Sequence, residues 1–120
     1  MTIDPAFLAL PLRDVAAAAL QAATEAGASS ADVRIERLRG QNLSLRDAHL
    51  ESLRDDVTIG LAVRVIADGT WGFASSADVT VDEAVRLARE AVAVSRTSRA
   101  LNAEPVELAD EPTYGDVTWV

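Results

Sequence analysis

Apolar residues along this chain change their spacing from one stretch to the next, and the changes divide it into elements. Leu12, Val15, Ala16, Ala19, Leu20 and Ala23 recur at intervals of three and four, which predicts a helix over Leu12 to Ala26 with one buried face. Gly27 supplies its C-terminal stop. Upstream, Asp4 before Pro5 predicts a helix start, with proline fixing the first helical torsion. Pro11 limits that piece to about two turns.

From Ala31 the period drops to two. Val33 and Ile35 alternate with Arg34 and Glu36, and Leu43 and Leu45 alternate with Asn42, Ser44 and Arg46. These predict two half-buried strands joined near Gly40. A short strand around Leu50 to Leu53 follows, and Asp55-Asp56 is expected to end it. "VTIGLAVRVIA" is the clearest strand, with Val57, Ile59, Leu61, Val63 and Val65 on one face and Thr58, Gly60, Ala62, Arg64 and Ile66 on the other. Asp68-Gly69 then offers the dipeptide favoured in a two-residue hairpin turn, where both central residues need positive φ. Trp71 and Phe73 fall on the return strand.

The helical period returns in "SADVTVDEAVRLAREAVAVSR", opened by Thr80 and Glu83 at capping-box spacing. Its inner stripe is expected at Ala84, Val85, Ala88, Ala91, Val92 and Ser95. Beyond Arg99 the chain is acidic and broken by prolines, with no sustained period. The pattern predicts an α+β fold, an antiparallel meander sheet with two Ala-rich helices on one face. Residues 1–99 form the domain, and residues 100–120 form an extended acidic linker.

The hairpin register decides where the aromatic residues point. With Asp68-Gly69 closing a two-residue turn, Ile66 faces Trp71 and Arg64 faces Phe73, and paired residues share a face of the sheet. Trp71 and Phe73 therefore stand with Arg64 on the side opposite the aliphatic row, the side the helices leave uncovered. Two readings are open: an aromatic pair with Arg64 laid across it, worth about 0.5–1 kcal/mol of cation-π attraction, or a shelf that docks another domain or an extended peptide.

Composition narrows the function classes. The chain has 120 residues, 49% hydrophobic and 25% charged, as expected of one globular domain. Its formal charge of −8, with arginine as the only strong base, argues against a nucleic-acid partner, which requires clustered cations. The absence of cysteine excludes disulfides and fits a reducing compartment. "MTIDPAF" lacks the basic and apolar regions of a signal peptide, and no apolar run approaches the roughly 20 residues that span a bilayer. These features predict a cytoplasmic protein with no membrane partner.

Candidate chemistry is sparse. The single histidine, His49, lies in the polar turn "RDAHLE" without partner ligands at metal-binding spacing. No G-x-S-x-G surrounds any serine, and the six glycines form no phosphate loop. Asp82-Glu83 suits the first turn of a helix, where acids complement the dipole. The chain by itself is expected to carry no catalytic, metal-binding or cofactor-binding residue.

The stretch "ADVRIERLRGQNLSLRDAHLESLRDDVTIGLAVRVIADGTWGFASS", followed by the capped helix, closely resembles the N-terminal domain of the TldD/PmbA family, long labelled modulators of DNA gyrase. Four pieces carry the resemblance in order: Ala31, Asp32, Arg34 and Glu36; Leu43, Arg46 and Asp47; "GLAVRV" from Gly60 to Val65; and "DGTWGFA" from Asp68 to Ala74. The motif positions are Asp32, Arg46, Gly60, Arg64, Gly69, Gly72 and Phe73. Ala62 departs from the pattern, where the family often has a second glycine.

The resemblance implies a bacterial zinc-dependent peptidase acting on unfolded or modified peptides, and it is closer to TldD than to PmbA. In such proteins the zinc ligands lie on an HExxxH-type helix in the C-terminal half, and no such motif exists here. The implied partners are the C-terminal domain of the same protein, a TldD/PmbA-type partner subunit or a second copy, and a peptide substrate. The implied role is to help form the peptide-access cleft or dimer interface, with Arg64, Trp71 and Phe73 as the docking residues. The alternative is a non-catalytic interaction module, either a PmbA-like partner or a free-standing binding domain.

Overall fold

A computed structural model describes residues 3–119. In chain order the elements are α1 (Pro5–Leu8), α2 (Leu12–Glu25), β1 (Ser30–Arg46), β2 (His49–Ala67), β3 (Thr70–Ser76), α3 (Val81–Ser98) and a 3₁₀ turn at Arg99–Leu101. The sheet is a three-stranded antiparallel meander, β1-β2-β3, with α2 and α3 on one face. The fold is α+β.

Local chemistry sets the element ends. Asp4 caps α1, its Oδ1 accepting from the Ala6 amide at 2.8 Å, but α1 makes a single turn rather than two. Helix α2 ends where Gly27 adopts a φ of 100°. The Ala28 amide then reaches the Ala23 carbonyl and the Gly27 amide that of Thr24, each at 3.0 Å, the two bonds of a Schellman cap. At the start of α3 the Thr80 hydroxyl accepts from the Glu83 amide at 3.3 Å.

The core lies between the helices and one end of the sheet. Leu61, Val63, Val65 and Ala67 of β2 and Ala74 of β3 are buried against Val15, Ala19, Ala22 and Ala23 of α2 and Ala84, Leu87, Ala88, Ala91 and Val92 of α3. Two details differ from the predicted stripes. Leu20 is exposed while Ala22 is buried, and Leu87 is buried while Val85 sits at the edge of the core. Small alanines let the helices approach closely, so the face that packs is set by backbone proximity more than by side-chain size.

The larger difference concerns the strands. No turn occurs at Gly40, which pairs with Asp56 inside a continuous ladder, and Asp55-Asp56 does not end a strand. β1 and β2 instead run 17 and 19 residues to a tight turn at Asp47-Ala48, where φ is 49° and 62°. The physical reason is cross-strand charge: Arg39 donates to Asp55 through two bonds of 3.2 and 2.8 Å, so polar residues that look like strand ends are paired across the ladder. A bulge between Ser44 and Leu45 accommodates one extra residue near the tip.

The expected burial of Val57 and Ile59 also fails. Both are exposed, because the helices cover only the part of β2 from Leu61 onward. The rest of the hairpin is a two-stranded arm, and it gives the molecule extents of 55 × 35 × 30 Å. The radius of gyration is 18.3 Å, against about 14 Å for a compact domain of this length.

Candidate functional site

The turn that positions the aromatic shelf follows from its dipeptide. Asp68 and Gly69 have φ of 52° and 68°, giving the two-residue turn and the register Ala67↔Thr70, Ile66↔Trp71, Val65↔Gly72 and Arg64↔Phe73. Residues alternate sides from there. Thr70, Gly72 and Ala74 are buried beneath α3, while Trp71 and Phe73 point away from it, 39% and 56% exposed.

Gly72 is what allows α3 to lie this close. A Cβ added there would stand 1.9 Å from the Ala91 carbonyl oxygen, so no other residue fits without moving the helix. Ser95 fixes the contact from the other side. Its hydroxyl lies 2.7 Å from both the Ala67 and Thr70 carbonyl oxygens and shares one proton between the two ends of the turn.

On the uncovered face, Asp32, Arg64 and Phe73 form one row across the three strands. The Arg64 Nε donates to Asp32 Oδ2 at 2.8 Å, and Nη2 lies at the same distance. The guanidinium carbon is 4.8 Å from the centre of the Trp71 ring. Arg64 is thus held by a carboxylate on one strand while covering an aromatic ring on another. This leaves a planar cation and two apolar rings facing outward together. Ile66, directly opposite Trp71, is buried although it shares this face, and it lies outside the helix-side core. Ile66 and Trp71 are thus cross-strand neighbours on this face, one buried and the other exposed.

The remaining motif positions do not join it. Gly60 lies on the same face two rows away, Gly69 is at the turn, and Gly72 is under α3. Arg46 is at the far tip of the arm, 3.6 Å from Glu51. The tie between Asp32 and Arg64 was missed from sequence because breaking β1 at Gly40 pairs its first half with the wrong partner. Also unforeseen is the attachment of the following segment. The Val106 amide and the Asn102 side-chain amide both donate to the Gly69 carbonyl, at 2.8 and 2.9 Å.

A catalytic metal does not fit these residues. Among the described residues no three of His, Cys, Asp or Glu converge on one point. His49 is exposed at the arm tip with its Nδ1 2.8 Å from the Asp47 carbonyl oxygen. Two acids of α3 are engaged with an arginine: Arg86 donates to Glu83 at 2.6 and 2.8 Å and to Glu90 at 2.7 Å. Arg86, with help from Ser76, holds the Glu83 carboxyl down to about 2, and Asp55 is lowered by its bonds from Arg39. Both groups are salt-bridged anions with no role poised for proton transfer.

Residues 31–95, more than half of the chain, match the family described as PmbA/TldA metallopeptidase domain 1. The chain belongs to this family. The matched segment of this PmbA/TldA-type domain begins one residue before Asp32 and ends at Ser95, so it takes in the long hairpin, the shelf and the serine that locks the turn. The domain is also 29% identical over 80 residues to a protein named metalloprotease MJ0996 of Methanocaldococcus jannaschii, a stretch covering 67% of this chain and 18% of that protein. The PmbA/TldA-type domain thus aligns with less than a fifth of the relative's length. No described helix is long and apolar enough to cross a membrane.

Proposed function

We propose that this chain is the non-catalytic first domain of a zinc-dependent peptidase of the TldD type, and that it serves the peptide-access cleft rather than the zinc site. The shelf of Arg64, Trp71 and Phe73 docks the peptide-hydrolysing part of the same protein and helps shape the path by which an extended peptide reaches the metal. We place the protein in the cytoplasm, in keeping with its cysteine-free composition.

One observation carries this: in a metallopeptidase-family domain, a braced cation and two exposed aromatic rings occupy the face the helices leave open, while no metal-holding cluster exists among the described residues. Aromatic and arginine side chains together are the usual composition of interface anchors.

The test uses the intact protein. Replacing Trp71 and Phe73 together by alanine should lower peptide hydrolysis by about tenfold or more, the scale of an anchor pair, with bound zinc unchanged. Full hydrolysis by that variant would remove the shelf from the account. Tight stoichiometric zinc in the 120-residue chain alone, measured by chelator competition, would overturn the assignment of the metal to another domain.

A further inference from the structure

The β2–β3 turn takes hydrogen bonds from two later parts of the chain. From α3, the Ser95 hydroxyl reaches the Ala67 and Thr70 carbonyls. From the segment after α3, the Val106 amide and Asn102 Nδ2 both donate to the Gly69 carbonyl, and Nδ2 also lies 3.3 Å from Thr70 Oγ1. Residues 102–106 therefore form a loop with both ends on one oxygen. Pro105 lies against the turn as well, since a Cβ on Gly69 would stand 3.0 Å from Pro105 Cβ. Asn102 and Val106 are half-buried, whereas every described residue from Glu107 onward is exposed. Further on, Asp116 approaches Arg13 at 3.5 Å with both side chains more than nine-tenths exposed, a surface pair that contributes little. The firm attachment is the one at the turn.

We propose that residues 102–106 are a strap that couples the path of the following chain to the turn beneath the aromatic shelf. Thr70 is the relay. Its hydroxyl is tied to the strap, its carbonyl is tied to α3, and Trp71 follows it directly. The turn also keeps Asp68, which is not glycine, at a φ of 52°, a conformation that costs energy and is maintained by the bonds around it.

Two states follow from this geometry. With the strap docked, the turn carbonyls have their donors and Trp71 is held in register. With the strap drawn off, Gly69 loses both of its donors at once and Thr70 loses one of its two ties. Whatever leads the chain beyond Val106 away from the turn therefore loosens the shelf. By reciprocity, whatever steadies the turn through Trp71 tightens the strap. The coupling stands on the turn and the strap alone and does not depend on the peptidase reading above. It moves the start of the free connector from residue 100 to Glu107.

NMR of the 120-residue chain reads both directions of the coupling. Asn102→Ala removes one donor outside the core, so the fold survives. Amide exchange at Val106 should rise roughly fivefold, the scale of one neutral hydrogen bond. Backbone order parameters from Gly69 to Trp71 should fall from about 0.85 towards roughly 0.6. Faster exchange at Val106 with an unchanged turn would mean a tie that transmits nothing and would overturn the proposal, as would no change at either place. Ser95→Ala perturbs the turn from α3 without touching the strap. It should also speed exchange at Val106 by roughly fivefold, because that amide opens by local release and not by global unfolding. A Val106 amide indifferent to Ser95→Ala would sink the coupling.

Discussion

The two ends of the long hairpin are built from the same two strands with the same alternation, and they meet opposite fates. At the base, Leu61, Val63 and Val65 are fully buried under alanine-rich helices; along the arm, Leu43, Leu53 and Val57 are more than half exposed. The reason is length. β2 has 19 residues at roughly 3.3 Å each, in a molecule 55 Å long, whereas the 18 residues of α3 cover only about 27 Å. Alternation therefore assigns a residue to a face of the sheet, and a separate quantity, the reach of the helical layer, decides whether that face becomes core.

The contrast is most sharply broken at two glycines. Gly72→Ala forces a Cβ into the Ala91 carbonyl and should cost about 3 kcal/mol or more by overpacking. Gly40→Ala on the arm meets nothing within 4 Å and should be neutral or stabilising by about 0.5 kcal/mol. Urea unfolding of both variants checks the pair. Leucine truncation asks the same of the two ends: Leu61→Ala should lose about 2–4 kcal/mol through its cavity, while Leu53→Ala should stay within roughly 0.5 kcal/mol of the parent.

Smaller effects probe the lock and the surface. Ser95→Ala leaves two buried turn carbonyls without their shared donor and should cost about 1–2 kcal/mol; near-neutrality would mean that the turn is held by Asn102 and Val106 instead. The smallest expected effect is at Glu83. Its carboxyl is depressed in the folded state to about 2 by Arg86 and Ser76, from an ordinary value near 4.5. A lowered acid stabilises the fold fully above its unfolded value and loses that contribution as pH falls through the folded one. Between about pH 5 and pH 2 the parent should therefore lose stability that Glu83→Gln does not, as thermal unfolding across that window would show.

Much of the base was legible from sequence because its signals are local. The Asp68-Gly69 dipeptide gives the turn, the turn gives the register, and the register puts Trp71 and Phe73 on the open face. The cap at Thr80 and the stop at Gly27 are likewise short-range. The arm was misread because its strand-breaking features, Gly40 and Asp55-Asp56, are compensated by residues about 16 positions away. The Arg39 to Asp55 bonds exist only once the ladder is formed. The same error hid the tie of Asp32 to Arg64, 32 residues apart. Asp47 and Ala48 hold positive φ without glycine, a geometry imposed by the ladder on either side.

Hydrogen exchange followed by mass spectrometry in dilute solution tests the division of the hairpin most directly. A two-stranded ribbon with no layer over it is marginally stable, so the arm amides from Arg39 to Val57 should exchange through local opening. Amides of Leu61 to Ile66 and of Gly72 to Ala74 should exchange only with global unfolding. Protection that is uniform from the arm tip to the base would contradict a hairpin divided into covered core and bare arm.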